Sequence, residues 1–417
     1  MAYDKVVDSS KLDAGLKTIA DAIREKAGIS DDLAFPSAMA EAIASIKSGG
    51  ANNISLKDVN FYDYDGELLH AYTLEEAQAL SELPELPTHD GLICQGWNYD
   101  LETIKEHNRA VNVGAMYITD DGATRIYIHL EEGRTSPMLG VCPNGTITVD
   151  WGDGTTPDTL TGTSTSTVKW TPTHEYSEAG DYIIRLTVNG TFSFYGSSSI
   201  NQYSGILRHS STSNTLNKVY LNSVQKIEIG NGITSMGNHT FSYCNSLKSV
   251  VIPNNITSIG TYAFNTCYSL KSVVIPNSVT FIGNYVFSNC SSLESVVMSN
   301  NVTSISDYIF RNCYSLKSLV IPNNVTSIDT YAFYSCYSLT LVVIPNSVTS
   351  ITSYAFSDCY GVKYYDFTSH TSVPALSNTN AFTGISSDCE IRVPAALVDE
   401  WKAATNWATY AGYIVGV

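Results

Sequence analysis

The cysteines are the residues whose type and spacing first suggest chemistry in this chain. Six of them recur every 23 residues, at Cys244, Cys267, Cys290, Cys313, Cys336 and Cys359. Metal sites need ligands at short spacing, but no C-x-x-C pair occurs and no histidine is interleaved at ligand distance. Equivalent positions of stacked coils would lie about 5 Å apart, which is near enough for disulfides. A row of small inward thiols is more simply part of a core, so we expect free, buried thiols and folding in a reducing cytoplasm.

Carboxylates and histidines offer few further candidates for chemistry. Asp150, Asp153 and Asp158 lie in or beside the stretch TITVDWGDGTT and could suggest calcium. However, glycines bracket Asp153 as a tight turn and no other ligands are evident, so we expect no metal. His174 and Asp153 suit structural roles. The repeats carry no carboxylate at a fixed position for glycoside hydrolysis, and no nucleophile or phosphate motif stands out. The sequence therefore predicts a protein that is not an enzyme and has no cofactor.

The cysteines belong to a repeated unit, C-x-S-L-K-S-V-V-I-P-N-x-V-T-S-I-x-x-Y-A-F-x-x. Leu247, Val250 and Ile252 have the spacing of a short strand with alternate residues pointing inward. Pro253 and Asn254 then turn the chain. One unit cannot bury its apolar residues alone, whereas stacked units bury them in a continuous core. A period of this length predicts a solenoid.

The repeated unit resembles the BspA-type leucine-rich repeats over residues 221–394. The end of the chain is similar to the closing cap of that family. This resemblance implies a last strand at 391–394 and a capping helix over Ala395 to Tyr410, with Trp401 and Trp407.

Three rows of side chains recur in the repeats and are predicted to point outward. The first tyrosine row is Tyr262, Tyr285, Tyr308, Tyr331 and Tyr354, and the second, interrupted by Ser291, is Tyr268, Tyr314, Tyr337 and Tyr360. The valine row is Val251, Val274, Val297, Val320 and Val343. Tyrosine offers an apolar face and a hydroxyl, which suits sugars and protein contacts, so both tyrosine rows are candidate ligand-binding residues. Alternatively, the tyrosines stack on one another and only stabilise the solenoid.

The first 50 residues read as two short helices joined by a turn. Their apolar stripes are Leu12, Leu16, Ile19 and Ile23 in the first helix, and Met39, Ile43 and Ile46 in the second. Helices this short are marginal alone, so we expect the stripes to serve attachment or oligomerisation, or to pair as a self-contained hairpin. The segment resembles the N-terminal segments of tail-fibre and baseplate-associated proteins of Firmicutes phages. We expect no secretory signal, because no basic region precedes an apolar stretch.

The middle of the chain divides into two modules. Residues 51–112 suggest a small mixed module, with a YDYDG turn and helices near 73–80 and 101–108. Residues 113–198 are rich in strands. Their W-G-D-G turn, H-x-Y and G-x-Y-x-V-x-L-T-V patterns resemble the PKD-type β-sandwich, which implies a spacer or a contact module.

Fold class and partners follow from these assignments. We expect a mainly β, modular chain with an N-terminal helical hairpin (1–50), a small α+β module (51–112), a PKD-like β-sandwich (113–198), leucine-rich repeats (199–394) and a cap (395–417). The formal net charge of −17 argues against nucleic acid and anionic membranes. No apolar run reaches transmembrane length, so we expect no membrane insertion.

The resemblances together favour a phage or phage-like tail fibre or receptor-binding protein. It would be made in the host cytoplasm, sit in the virion tail, and attach through its N-terminus to tail or baseplate proteins. Its repeats would bind a bacterial surface glycan or protein, and a homo-oligomer, with a trimer favoured, would present them. The alternatives are a bacterial cell-surface adhesin of the BspA type and a glycan depolymerase on a repeat scaffold.

Overall fold

The computed structural model describes residues 57–106, 111–162, 172–194, 206–208 and 220–417. The helical hairpin predicted for residues 1–50, with its apolar stripes, lies outside the described residues. The ten strands before the repeats are β1 Val59–Tyr62, β2 Leu68–Tyr72, β3 Leu92–Trp97, β4 Val111–Thr119, β5 Thr124–Leu130, β6 Met138–Leu139, β7 Val141–Asp150, β8 Asp158–Gly162, β9 Gly180–Phe194 and β10 Leu207–Arg208.

The strands of the repeats are β11 Val224–Glu228, β12 Ser235–Met236, β13 Ser249–Val251, β14 Ser258–Ile259, β15 Ser272–Val274, β16 Phe281–Ile282, β17 Ser295–Val297, β18 Ser304–Ile305, β19 Ser318–Leu319, β20 Ser327–Ile328, β21 Leu341–Val343, β22 Ser350–Ile351, β23 Tyr364–Asp366, β24 Ala375–Leu376, β25 Glu390–Val393 and β26 Ile414–Gly416. The α-helices are α1 Leu74–Gln78, α2 Leu101–Glu106 and α3 Val398–Ala403. Two 3₁₀ helices, Ala395–Leu397 and Trp407–Tyr410, flank α3.

Residues 57–119 form a small module around a four-stranded sheet of order β2-β1-β4-β3. The predicted YDYDG turn joins the antiparallel strands β1 and β2. Helix α1 begins with a capping box, because the Thr73 hydroxyl accepts from the Glu76 N–H while the Glu76 carboxylate accepts from the Thr73 N–H. Phe61 and Trp97 meet edge to face at 4.9 Å in the core of this module.

The strand-rich segment after the module builds a sheet that continues into the solenoid. Its order is β13-β11-β5-β9-β7-β8, so β5 pairs with β11, the first strand of the repeats. A short two-stranded sheet, β10-β6, accompanies it. The buried residues of this segment and those of the solenoid form one hydrophobic cluster. The strand-rich segment and the repeats therefore share both a sheet and a core, which a free-standing sandwich would not do.

The repeats form a solenoid with two parallel strand ladders. One ladder runs from β11 and β13 through β15-β17-β19 to β21-β23-β25-β26, and the other is β12-β14-β16 followed by β18-β20-β22-β24. Pairing advances by one repeat at each step, as in Ser272 with Ser295 and Ser304 with Ser327. The predicted solenoid and the mainly β class are confirmed.

The inward cysteines lie in the core of the solenoid as free thiols. The thiol groups of Cys267, Cys290, Cys313, Cys336 and Cys359 each donate to the backbone carbonyl of a phenylalanine 26 residues earlier, at 3.1–3.2 Å. Burial raises the pKa of the thiols in this row, to about 12 for Cys290 and Cys359. A buried thiol with a raised pKa is a poor nucleophile.

We expect one reactive thiol per native chain. Of the nine free cysteines, Cys94 alone is exposed. Ellman's reagent should therefore titrate about one thiol per chain under native conditions and about nine in guanidinium chloride. The Cys94→Ser variant is the control and should react only after unfolding. Two or more reactive thiols in the native protein would show that the core row is accessible.

The C-terminal cap differs from the predicted single helix. The strand expected at 391–394 is present as β25. The helical region, however, is broken after α3, where Ala404 is extended and Asn406 adopts a left-handed conformation. Trp401 and Trp407 lie buried against Phe367, and β26 then adds a last parallel strand beside β25. The two indoles fill the open end of the core, and the break lets the chain return to the sheet.

Candidate binding surface

The first tyrosine row lies on the turn segment between the second ladder and the cysteine, and the second row directly follows the cysteine. Two residues of this segment, the tyrosine of the first row and the residue before cysteine, have φ between 56° and 64° in the coils from Tyr262 to Asp358. Left-handed conformations are uncommon outside glycine and persist where surrounding contacts impose them. Here backbone bonds between coils do so, such as Tyr262 N–H to Asn284 O at 2.9 Å and Thr266 N–H to Ser288 O at 2.8 Å. The turn segments are thus a rigid platform.

The first tyrosine row stacks on itself along the solenoid. Consecutive rings, from Tyr262 to Tyr354, have centroids 4.3–4.8 Å apart and nearly parallel planes. The rings are half-buried, and the imidazole of His239 caps the row at 4.7 Å from Tyr262. Their faces are occupied by neighbouring rings, so this row stabilises the solenoid and presents mainly edges and hydroxyls to a ligand.

The second tyrosine row is the exposed one. The exposed fractions of Tyr268, Tyr314, Tyr337 and Tyr360 are 47%, 41%, 44% and 54%. Tyr314 and Tyr337 stack at 5.0 Å, and Tyr337 and Tyr360 at 5.6 Å. In the coil between Tyr268 and Tyr314, Ser291 occupies the equivalent position.

A cationic group lies beside Tyr308 of the first row. The guanidinium of Arg311 is 6.0 Å from the ring centroid of Tyr308 and 5.9 Å from that of Tyr334, which is within cation–π range. Tyr334 in turn meets Tyr331 edge to face. Arg311 and Tyr334 are 23 residues apart in the sequence, so their contact depends on the stacking of neighbouring coils.

The valine row is not the free surface that the repeat pattern predicted. Val251, Val274 and Val297 are buried because the small module lies on this face, with Tyr62 and Met116 against Val274 and Val297. Hydrogen bonds also join the module to the solenoid, from Asn277 Nδ2 to Asn98 O, from Tyr99 OH to Asn300 Oδ1, and from Asn254 N–H to Gln95 Oε1. The rest of the valine row, Val320 and Val343, is half-buried.

The W-G-D-G and H-x-Y motifs interlock as a structural unit. The ring of His174 stacks on Trp151 at 4.8 Å, and its Nε2 is 2.7 Å from Asp153 Oδ2. The hydroxyl of Tyr176 donates to Trp151 O at 2.8 Å. Burial opposes ionisation of Asp153, but hydrogen bonds from Thr155 and His174 outweigh it and lower the pKa of Asp153 to about 2.

The three aspartates near this turn have separate partners. Asp150 accepts from the Gly152 N–H, Asp153 from Thr155, and Asp158 from the indole N–H of Trp151. Across the described ranges, no group of three or more histidine, cysteine, aspartate or glutamate side chains is arranged to hold a metal ion. These contacts show that the three carboxylates serve the local structure of the turn.

A charged cluster that the sequence did not reveal lies where module, sheet and solenoid meet. Buried Glu228 is 2.7 Å from Lys226 Nζ and 3.4 Å from Arg125 Nη1, and accepts from the Tyr127 hydroxyl at 3.0 Å. Burial and the Glu228 carboxylate raise the pKa of Tyr127 to about 12. Arg125 also donates to Gly91 O of the module at 3.0 Å. These contacts help to fix how the small module and the sheet pack against the solenoid.

No helix in the described part of the chain is long and apolar enough to cross a membrane.

Comparison with protein families finds one match. The family model described as "BspA type Leucine rich repeat region" matches in 6 copies, over residues 185–294, 217–340 and 303–398. Together these ranges span more than half of the 417 residues. No curated protein matches the chain.

Several solved structures are similar to part of the chain. A leucine-rich repeat protein of T. pallidum is 31% identical over 34% of this chain and 66% of its own, with a TM-score of 0.32. One from Eubacterium ventriosum is 21% identical over 47% and 48%, with a TM-score of 0.35. A leucine-rich cell surface protein of Faecalibacterium prausnitzii is 20% identical over 45% and 62%, with a TM-score of 0.25. The chain thus spans less than two thirds of each of these proteins.

Proposed function

Because the chain belongs to the BspA-type leucine-rich repeat family, we propose that it is a binding protein of the adhesin type, displayed at a bacterial surface, with no catalytic activity. The observation that carries the proposal is the second tyrosine row, which exposes aromatic rings on a rigid scaffold. Its ligand is a surface glycan or protein, because tyrosine combines an apolar face with a hydroxyl.

Rigidity supports a binding role for this row. The turn segments that directly precede this row are tied to one another by backbone hydrogen bonds in every coil from Tyr262 to Asp358, and at the row itself the Ser292 N–H donates to Tyr268 O. Side chains on such a scaffold are already placed before the ligand arrives, so little conformational entropy is lost on binding. The carboxylates of Asp150, Asp153, Asp158 and Glu228 are engaged in structural contacts, which does not favour the depolymerase alternative.

Replacing Tyr268, Tyr314 and Tyr337 together by serine should weaken binding to cells or surface glycans by at least about tenfold, since three exposed rings are lost. Serine occurs naturally in this row at Ser291, so the coil accommodates it. The measurement is flow cytometry of labelled protein on a panel of bacterial cells.

The matched control is Phe281→Ser. Phe281 is also a highly exposed aromatic residue, at 59%, but it lies on β16 in the second strand ladder. The control should bind as the unmodified protein does, and circular dichroism should show both variants folded. Equal binding by the triple variant would assign the ligand to another surface.

A phage tail-fibre role is the second candidate. It is favoured by the free thiols of the core, which suit a chain that folds in a reducing cytoplasm before it joins a particle. The resemblance of residues 1–50 to tail-fibre and baseplate-associated proteins of Firmicutes phages points the same way. In that role the N-terminus contacts tail or baseplate proteins, an oligomer, with a trimer favoured, presents the repeats, and the PKD-like segment acts as a spacer.

Mass spectrometry of purified particles and of cell envelopes from the source strain separates the two candidates. Peptides of this chain in the envelope, and none in particles, support the adhesin. Stoichiometric peptides in particles establish the tail-fibre role instead.

A further inference from the structure

The second tyrosine row is interrupted at one position. Tyr268, Tyr314, Tyr337 and Tyr360 occupy the residue after cysteine in their coils, and Ser291 occupies it in the coil between Tyr268 and Tyr314. Where tyrosines are adjacent, their rings stack and cover one another. At the interruption, Tyr314 has a ring neighbour on its Tyr337 side, and no other ring of the described residues stacks on its opposite side.

The dimensions of the interruption fit one inserted ring. Adjacent rungs of the row are 5.0 and 5.6 Å apart. Two rungs therefore separate Tyr268 from Tyr314 by about 10 Å, twice the spacing of neighbouring strands. A ring midway would lie about 5 Å from each tyrosine, within the range of favourable ring contacts. The coils remain in register here, because the Ser292 N–H donates to Tyr268 O at 3.2 Å.

The surroundings of the interruption are polar. Ser291 is half-buried and places a small hydroxyl-bearing side chain in the gap. Two residues earlier, Asn289 accepts a hydrogen bond from Asn312 Nδ2 at 2.8 Å. Arg311 adds a positive charge near Tyr314. Burial raises the pKa of Tyr314, Tyr337 adds to this effect, Arg311 opposes it, and Tyr334 and Tyr268 contribute smaller increases.

We propose that Tyr268, Ser291 and Tyr314 form a slot that binds one pyranose ring of a surface glycan. The inference rests on the proposed binding function and specifies its ligand. The tyrosines contact the two apolar faces of the sugar ring, and the polar groups around Ser291 bind its hydroxyls. An aromatic side chain of a protein partner would also fit between the tyrosines, but a sugar offers more hydroxyls to the polar groups around Ser291.

Filling the slot tests the proposal. Ser291→Tyr completes the row and removes the space, whereas Ser291→Ala keeps the space and is the matched control. Saturation-transfer NMR on the full chain would use methyl β-glucopyranoside, methyl β-galactopyranoside, methyl N-acetyl-β-glucosaminide and N-acetyltyrosinamide. We expect sugar signals with the unmodified protein and Ser291→Ala, and a loss of about tenfold or more in Ser291→Tyr. Thermal unfolding would verify that Ser291→Tyr is folded.

A second variant covers the case in which Ser291→Tyr does not fold. Tyr268→Ser removes one wall of the slot and should also weaken the sugar signal by about tenfold. Undiminished sugar binding in Ser291→Tyr, no sugar binding by the unmodified protein, or binding of N-acetyltyrosinamide alone would each overturn the proposal. Cell binding measured in parallel separates the two hypotheses, since cell binding that survives in folded Ser291→Tyr refutes the slot but not the adhesin role.

Discussion

Replacing Phe310 by alanine should lower the free energy of unfolding by about 3–5 kcal/mol. Phe310 is fully buried in the solenoid, stacked on Phe287 at 5.7 Å and on Phe333 at 5.5 Å. Removing the ring loses its burial and leaves a cavity, because the neighbouring coils are tied by backbone hydrogen bonds and cannot close around it. Urea unfolding followed by circular dichroism measures the change.

The matched control is Phe281→Ala, which removes the same ring from an exposed position. The free energy of unfolding should change by no more than about 0.5 kcal/mol, as at most surface sites. Comparable losses in both variants would mean that the phenylalanine row does not hold the coils together.

Replacing Val274 by aspartate should detach the small module from the solenoid. Val274 is 6% exposed and is covered by Tyr62 and Met116. The backbone of Gly114 comes so close that a Cβ there would lie 2.6 Å from Val274 Cγ1. A carboxylate in this contact has no partner and would cost about 3 kcal/mol or more if it stayed buried, so the interface should open instead. The measurement is hydrogen exchange of the backbone amides of β4 and of the strands β13, β15 and β17 that face it. Their exchange should become faster.

The control for this variant is the same substitution at Val343. Val343 has the equivalent place in its coil but is only half-buried and lies outside the contact with the module. Val343→Asp should change the exchange of β4 little and the free energy of unfolding by less than about 1 kcal/mol. If both variants expose β4 equally, the module is not held by the valine row.

The repeats could be recognised from the order of residues because their structure depends on neighbours in a short period. Leu247, Val250 and Cys244 recur 23 residues later with the same partners, so each unit must bury the same groups against the next one. The inward cysteines, the first short strand of each unit and the outward tyrosines follow from that requirement. The small helices and the YDYDG hairpin were also predictable, since capping and turn residues act within a few positions.

Contacts between distant segments could not be predicted from such local patterns. The valine row has an outward pattern, yet Met116 and Tyr62 cover it from a module more than 100 residues earlier in the chain. The pairing of β5 with β11 and the contact of Arg125 with Glu228 likewise join distant segments. No local sequence pattern indicates which of these segments pair.

In the tyrosine rows, too, some features follow from the sequence and others depend on the tertiary structure. Their period and direction follow from the repeat, but whether a ring's faces are free depends on the spacing of stacked coils. That spacing closes the faces of Tyr285 against its neighbours, while Ser291 leaves a gap beside Tyr314. The period of the sequence therefore determines which residues face inward. Only the tertiary packing decides which outward residues remain accessible to a ligand, because other segments can fold onto the same surface.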